Sequence, residues 1–96
     1  MSFDDRIEST WTVLMDALDS HDIPYQETPQ SLSISTSQGV YLLNAQGMLA
    51  QLWLSSPVSG AHHFVWQGNH WTSTRSTATL HSILWEEQKW DVGFNS

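Results

Sequence analysis

Carboxylate side chains recur at helical spacing in the first part of the chain. At about 100° per residue, four of them fall within roughly 80° of one another on one helix face. They are Asp5, Glu8, Asp16 and Asp19, with Asp4 and Asp22 at the edge of the same arc. No lysine is interleaved, and Arg6 points elsewhere. Because like charges at this spacing weaken a helix and hard cations prefer carboxylate oxygens, the pattern predicts weak binding of a cation or a basic protein surface. A merely solvated helix face is the alternative.

A tryptophan within a short apolar segment is the second candidate for function. Side chains alternate along a strand, so Leu52 and Leu54 share one face and Trp53 lies on the other. With both leucines in the core, Trp53 occupies the open face of the sheet, where it is a suitable anchor for a protein partner. The same alternation assigns to that face Leu42, Asn44, Gln51, Trp53, His63 and Val65. The opposite arrangement, with Trp53 inside, is the alternative.

The composition excludes several classes of function. Only three lysines and arginines accompany a net charge of −7, which argues against nucleic acid and anionic membranes as partners. The absence of cysteine excludes disulfides, a thiolate nucleophile and an iron–sulfur cluster held by this chain's own thiolates. No apolar run approaches the roughly 18 residues of a membrane span. There is no zinc, phosphate-loop or nucleophile motif, and the adjacent His62 and His63 would point to opposite faces of a strand.

Two helices and a series of short strands are predicted to position these residues. Apolar residues at spacings of three and four predict a helix over 3–20 and another over 79–89, the latter with Leu80, Ile83, Leu84 and Trp90 on one side. Strands are predicted at 31–35, 40–45, 50–55, 62–67 and 70–74, after a poor strand or irregular link at 24–30. Ser2 is the candidate N-cap of the first helix, and Thr77 or Thr79 that of the second. Residues 93–96 are expected to fray.

The order of these elements predicts the fold class. Strands joined by short turns are antiparallel neighbours, and two terminal amphipathic helices need one apolar sheet face to cover. We therefore expect an α+β protein: a two-layer sandwich with the N- and C-terminal helices on one face of an antiparallel sheet of about five to six strands. Residues 1–96 are expected to form a single domain.

The segment Gln51-Leu52-Trp53-Leu54-Ser55-Ser56-Pro57-Val58-Ser59-Gly60 resembles the signature of the frataxin family, which includes the bacterial CyaY proteins. Residues 64–71 resemble the family's next hairpin, with Trp66 and Trp71 in step. Residues 40–44 resemble the preceding strand, and residues 80–84 the closing helix. The resemblance covers nearly the whole chain and keeps the order of acidic helix, sheet and helix.

The resemblance implies an iron-binding protein of iron–sulfur cluster assembly, acting as an iron chaperone or as a regulator of the cysteine desulfurase–scaffold complex. Weakly bound Fe²⁺ or Fe³⁺ is its implied cofactor, and the desulfurase and the scaffold are its implied partners. The implied iron ligands are Asp4, Asp5, Glu8, Asp16, Asp19, Asp22 and Glu27. The implied partner-binding residues are Asn44, Gln51, Trp53 and His63. Trp66 and Trp71 are expected to be structural.

Other functions and states stay open at this point. A ferroxidase that oxidises Fe²⁺ to Fe³⁺ and an interaction module that does not use iron are the alternatives, and no catalytic residue is assigned. Glu27 is the only acid between Ile23 and Gln30, which argues against a multi-iron capacity. A monomer is expected, with an iron-dependent oligomer as the alternative. The bacterial cytoplasm is the expected compartment, with the mitochondrial matrix as the alternative.

Overall fold

Six strands follow one another between two helices. The computed structural model describes residues 1–93. The elements are α1 (Phe3–Ser20), β1 (Tyr25–Glu27), β2 (Ser31–Thr36), β3 (Gly39–Gln46), β4 (Gln51–Ser56), β5 (Gly60–Gln67), β6 (His70–Ser73) and α2 (Leu80–Gln88), with a short 3-10 helix (Gly47–Leu49) between β3 and β4. Fraying was predicted for residues 93–96, of which residues 94–96 lie outside the described residues. None of the helices in the described range is long and apolar enough to cross a membrane.

The strands form one antiparallel sheet in chain order, β1 to β6. Each strand pairs with the next through a short connection, as the spacing of the turn residues predicts. The poor strand expected near residues 24–30 is β1, which is three residues long and forms one edge of the sheet. The predicted fold class, a two-layer α+β sandwich with both helices on an antiparallel sheet, is confirmed, and the sheet has six strands.

The core lies between the helices and the sheet face that they cover. The strands contribute Leu32, Ile34, Tyr41, Leu43, Leu52, Leu54, Phe64 and Trp71, and the helices contribute Ile7, Trp11, Leu14, Leu18, Leu80, Ile83 and Leu84. Leu52 and Leu54 are 0% and 2% exposed, which confirms that the leucines of β4 face inward. Trp90 is also buried, but α2 ends at Gln88 and is capped by Lys89 in a left-handed conformation. Trp90 therefore lies beyond the helix, and its predicted place on it was wrong.

Both helices begin with a capping box. The Ser2 hydroxyl accepts a hydrogen bond from the Asp5 N–H, and the Asp5 carboxylate accepts one from the Ser2 N–H. Thr79 and Ser82 form the equivalent pair at the start of α2. These bonds satisfy backbone donors that a helix start leaves free, and they establish Ser2 and Thr79 as the N-caps.

Candidate functional site

The acidic residues of α1 form an exposed face without cationic partners. The acids of the helix lie on the side opposite the apolar stripe that packs against the sheet. All five are exposed: Asp4, Asp5, Glu8, Asp16 and Asp19. Within residues 1–93 the only ion pair joins His81 to Asp91. Two of the helix acids accept hydrogen bonds: Asp5 in the capping box and Asp19 from the Tyr25 hydroxyl at 2.8 Å. That bond raises the pKa of Tyr25, with smaller contributions from desolvation and from the negative charge of nearby carboxylates.

The acidic face is divided into two groups along the helix. Asp4, Asp5 and Glu8 lie in its first two turns, and Asp16 and Asp19 lie near its end. At about 1.5 Å of rise per residue, Asp5 and Asp16 are separated by roughly 16 Å. One ion therefore cannot contact both groups, and the face offers two regions of negative charge.

Asp22 does not extend the helical face. The helix ends at Ser20, and Asp22 lies in the following turn with a φ of 55°. The 100° spacing that aligned it with Asp4 does not apply beyond the end of the helix. Its sequence-based placement on this face was therefore wrong, although it remains exposed near the C-terminal group.

A groove of about 660 Å³ lies between α1 and the segment that follows β1. Asp4, Glu8 and Glu27 line it together with apolar residues that include Phe3 and Trp11. The groove brings Glu27, a strand residue, to the N-terminal acidic group. These carboxylates do not converge further, since the described part of the chain holds no cluster of three or more histidine or acidic side chains spaced for a metal ion. The arrangement suits loose attraction of a cation with a large share of water ligands.

The open sheet face carries the predicted aromatic centre. Trp53 pairs with His63 across β4 and β5, and their rings stack at 4.1 Å between centroids with an interplanar angle of 7°. The Trp53 indole N–H donates to the Gln51 side-chain oxygen at 2.8 Å, and Asn44 is the cross-strand neighbour of Trp53 on β3. The structure therefore brings Asn44, Gln51, Trp53 and His63 together on one face, and it rules out the arrangement with Trp53 inside.

The surroundings of this centre are mostly uncharged. Leu42 is 42% exposed and Val40 is 53% exposed on β3. Val65 follows His63 on the same face of β5 and is half-buried. A half-buried aromatic pair fixed by a hydrogen bond and edged by exposed aliphatic side chains is typical of a protein contact.

A carboxylate on α2 anchors the loop of the signature segment, and no local pattern of residues predicts this contact. The Glu87 carboxylate accepts hydrogen bonds from Tyr41 at 2.7 Å, from Ser56 at 2.6 Å and from Ser59. Partial burial favours a raised pKa for Glu87, but the three hydroxyl donors outweigh it and lower the pKa. Ser56 and Ser59 of the Ser-Ser-Pro-Val-Ser-Gly segment therefore fix the loop to the helix. Only the folded chain brings Ser56 within reach of Glu87, 31 residues away.

The remaining aromatic residues have structural contacts. Trp71 is buried and its indole N–H donates to the Thr10 hydroxyl at 2.9 Å. Trp66 packs edge-on against Trp71 and is covered by the Arg6 guanidinium, 4.1 Å from its ring centroid. Both tryptophans therefore join α1 to the sheet.

Comparison with known proteins gives the same assignment from sequence and structure. Residues 2–93 match the model of the frataxin-like domain. The chain is 42% identical over 72 residues to the mitochondrial frataxin of Arabidopsis thaliana, an alignment that covers 73% of this chain and 38% of that relative. The chain thus spans well under half of the length of this curated relative.

Solved structures of the family share the fold. The frataxin of Psychromonas ingrahamii matches with a TM-score of 0.73 at 19% identity, and both chains are covered completely. The trimeric frataxin of Saccharomyces cerevisiae, complexed with ferrous iron, matches with a TM-score of 0.79 at 27% identity over 88% of this chain and 82% of that one. The domain match over nearly the whole sequence decides the assignment: this chain belongs to the frataxin-like family.

Proposed function

We propose that this chain is an iron-binding protein that acts in iron–sulfur cluster assembly, as an iron chaperone or as a regulator of the cysteine desulfurase–scaffold complex. Membership of the frataxin-like family supports an iron-related function, as does the ferrous complex of the yeast relative. The observation that carries the proposal is the acidic face of α1, with five exposed carboxylates and no cationic partner among the described residues.

The chemistry of this face fits iron as a weakly held cargo. Carboxylate oxygens are hard ligands that suit ferrous and ferric ions, and the two separated groups provide charge without a rigid cage. Asp4 and Glu8, with Glu27 across the groove, are the first candidates for contact, followed by Asp16 and Asp19. Asp22 belongs with the second group. The same charge attracts basic protein surfaces.

The open sheet face is proposed as the docking surface for the desulfurase–scaffold complex. Trp53 stacks on His63 and is held by Gln51, with Asn44 beside it, so its orientation is fixed before a partner arrives. Such fixed side chains lose little conformational entropy on binding. The acidic face and the docking surface lie on different parts of the chain. Substitutions can therefore remove iron binding and docking separately.

The test is desulfurase activity in the presence of the scaffold, with and without this protein and with and without Fe²⁺. Wild type is expected to change the rate, and Trp53→Ala is expected to abolish the change while remaining folded. Trp85→Ala is the matched control, because Trp85 is 46% exposed on α2, away from the open face. A rate that responds equally to wild type and Trp53→Ala contradicts docking through this face.

A second variant tests the role of iron. Asp4→Asn, Glu8→Gln and Asp16→Asn together remove charge while keeping Asp5 and Asp19, whose carboxylates make hydrogen bonds in the fold. Anaerobic titration with Fe²⁺ is expected to give weaker binding for this variant than for wild type. Unchanged iron binding contradicts the proposed ligands, and unchanged desulfurase regulation by the variant favours an interaction module that does not use iron. Dioxygen consumption during Fe²⁺ addition tests the ferroxidase alternative.

The proposal includes a monomeric state and a bacterial cytoplasmic compartment. The trimeric yeast relative supports an oligomer as the alternative to the expected monomer, and sedimentation with and without Fe²⁺ distinguishes them. The relatives include a mitochondrial frataxin and a Psychromonas frataxin. The bacterial cytoplasm remains the proposed compartment and the mitochondrial matrix its alternative.

A further inference from the structure

A small basic pocket lies beside the first residues of β5, away from β1 at the opposite edge of the sheet. It has a volume of about 280 Å³ and is formed where β6 ends and the following loop folds beside β5. Its polar lining residues are His62, His63, Ser73, Thr74, Arg75 and Ser76. Ala61 is the remaining lining residue, and no acidic residue lines the pocket. The whole chain has ten acids and only three lysines and arginines, so a lining with an arginine and no acid departs from its average composition.

The pocket follows from the unequal lengths of two strands. β6 pairs with residues 64–67 of β5, whereas β5 begins at Gly60. The earlier residues of β5 therefore have no strand on that side, and the loop after Ser73 occupies part of the vacant edge. The Thr74 N–H donates to the His63 carbonyl oxygen at 2.9 Å and fixes the loop there.

The Ser73 and Ser76 hydroxyl groups in this loop have no hydrogen-bond acceptor within the described residues. The Ser73 hydroxyl oxygen accepts from the Arg75 N–H at 3.1 Å, and the Ser76 hydroxyl oxygen accepts from the Ala78 N–H at 3.2 Å. Each oxygen is thereby oriented by the backbone, while its own O–H remains available to donate. Each hydroxyl can therefore donate to a ligand that carries acceptor oxygens.

Arg75 differs from the other two permanent cations. Arg6 covers the ring of Trp66 at 4.1 Å, and the Lys89 ammonium lies 5.5 Å from the Trp85 ring. In residues 1–93 the Arg75 guanidinium has no such aromatic contact and no ion pair. It is exposed beside the pocket and has five N–H donors in a geometry that matches oxyanions.

Acids at the opposite edge of the sheet do not cancel this local charge. Asp19 bonds to Tyr25 and Glu27 is part of β1, which places these two acids at the β1 edge. Four strand spacings of about 4.8 Å separate β1 from β5, or roughly 19 Å. The Debye length at physiological ionic strength is about 8 Å. The acid linked to this region is Glu87, whose carboxylate reaches His62 through Ser59. Arg75 is therefore the charge that the pocket offers to a ligand.

We propose that this pocket binds a tetrahedral oxyanion of the phosphate class, either free or as part of a small phosphorylated molecule, with Arg75 as its principal charge. The loop hydroxyls and His63 supply further donors. The pocket shares His63 with the proposed docking surface, because His63 stacks on Trp53. The acidic face and Trp53 do not belong to its lining, and a phosphate titration tests the site without the desulfurase or iron.

The test is an amide NMR titration of the full chain with inorganic phosphate at constant ionic strength. Saturable shifts in the millimolar range are expected, confined to residues 61–63 and 73–76. Arg75→Gln is expected to weaken binding by about tenfold, as for loss of a charge-assisted hydrogen bond. Lys89→Gln removes the same charge elsewhere and is expected to leave binding unchanged.

Further arms define the ligand. Acetate is expected to bind more weakly than phosphate, and equal binding would overturn the assignment to tetrahedral oxyanions. If glycerol phosphate binds more tightly than inorganic phosphate, the ligand is a phosphorylated small molecule. If inorganic phosphate binds more tightly, the ligand is free phosphate. Shifts that spread over the surface without saturation, or equal losses in Arg75→Gln and Lys89→Gln, contradict the proposal. The amide spectrum of each variant shows directly that it is folded.

Discussion

Glu87 links the loop of the signature segment to α2 through one half-buried carboxylate. Hydroxyls of Tyr41, Ser56 and Ser59 donate to it, and the Ser59 oxygen also contacts the His62 ring nitrogen at 2.8 Å. Ser56 in turn accepts from the backbone N–H groups of Val58 and Ser59. The network thus determines the shape of the loop between β4 and β5, which joins the strand of Trp53 to the strand of His63.

Replacement of Glu87 by Gln is expected to lower the free energy of unfolding by about 1–2 kcal/mol at pH 7, because charged acceptors make the stronger hydrogen bonds. The pKa of Glu87 is lowered in the folded chain, so this stabilisation is present above the pKa of the unfolded state. It is lost as pH falls through the folded value, and the gap between wild type and variant should shrink below about pH 4. Urea unfolding from pH 7 to pH 3.5 measures it.

The neighbouring residue supplies the control for this experiment. Glu86 is exposed on the same helix and accepts none of these hydrogen bonds. Glu86→Gln is therefore expected to change stability by less than about 0.5 kcal/mol at any of these pH values. A gap between wild type and Glu87→Gln that stays constant down to pH 3.5 would show that the charge of Glu87 has no role.

For the helices and strands, the local spacing of apolar residues was sufficient to predict most of the fold. The apolar spacing gave both helices, and the alternation around Trp53 gave the correct face of the sheet, because both patterns depend only on nearby residues. Failures occurred where a contact spans the chain or an element stops. Asp22 and Trp90 were assigned to helices that end before them, and the Glu87 network joins residues from three elements.

The candidate functional site was likewise predictable only where it depends on local patterns. The identity of the acidic residues and of the Trp53 face followed from residue types and periods. The groove that brings Glu27 to Asp4 and Glu8 depends on how β1 lies beside α1, and no local pattern contains that information. The basic pocket was missed for a similar reason, since it arises from the difference in length between β5 and β6.

The N-cap residue Thr79 is expected to stabilise α2. Thr79→Ala removes the hydroxyl that accepts from the Ser82 N–H at 3.0 Å and is expected to cost about 1 kcal/mol of unfolding free energy. Helix α2 has only nine residues, so its stability depends strongly on a well-formed first turn. Thr77→Ala, at an exposed position outside the capping box, is expected to change little. Equal effects of both substitutions in urea unfolding would show that the cap is not the cause.

The whole molecule carries its charge unevenly. The net charge is −7, and the carboxylates of α1 repel one another without cations to offset them. Self-repulsion of this kind weakens the folded state and is reduced by salt. A face that binds a cation or a basic partner has a reason to retain this unfavourable arrangement, because binding relieves the repulsion.

Removal of two of these charges is therefore expected to stabilise the free protein. Glu8→Gln with Asp16→Asn should raise the free energy of unfolding by a few tenths of a kcal/mol at about 20 mM salt, since both side chains are exposed and make no hydrogen bond in the described fold. The gain should largely vanish at about 0.5 M salt, where the Debye length is about 4 Å. Urea unfolding at the two salt concentrations measures it. A gain that persists at high salt would instead reflect helix propensity, and repulsion on this face would then have no measurable cost.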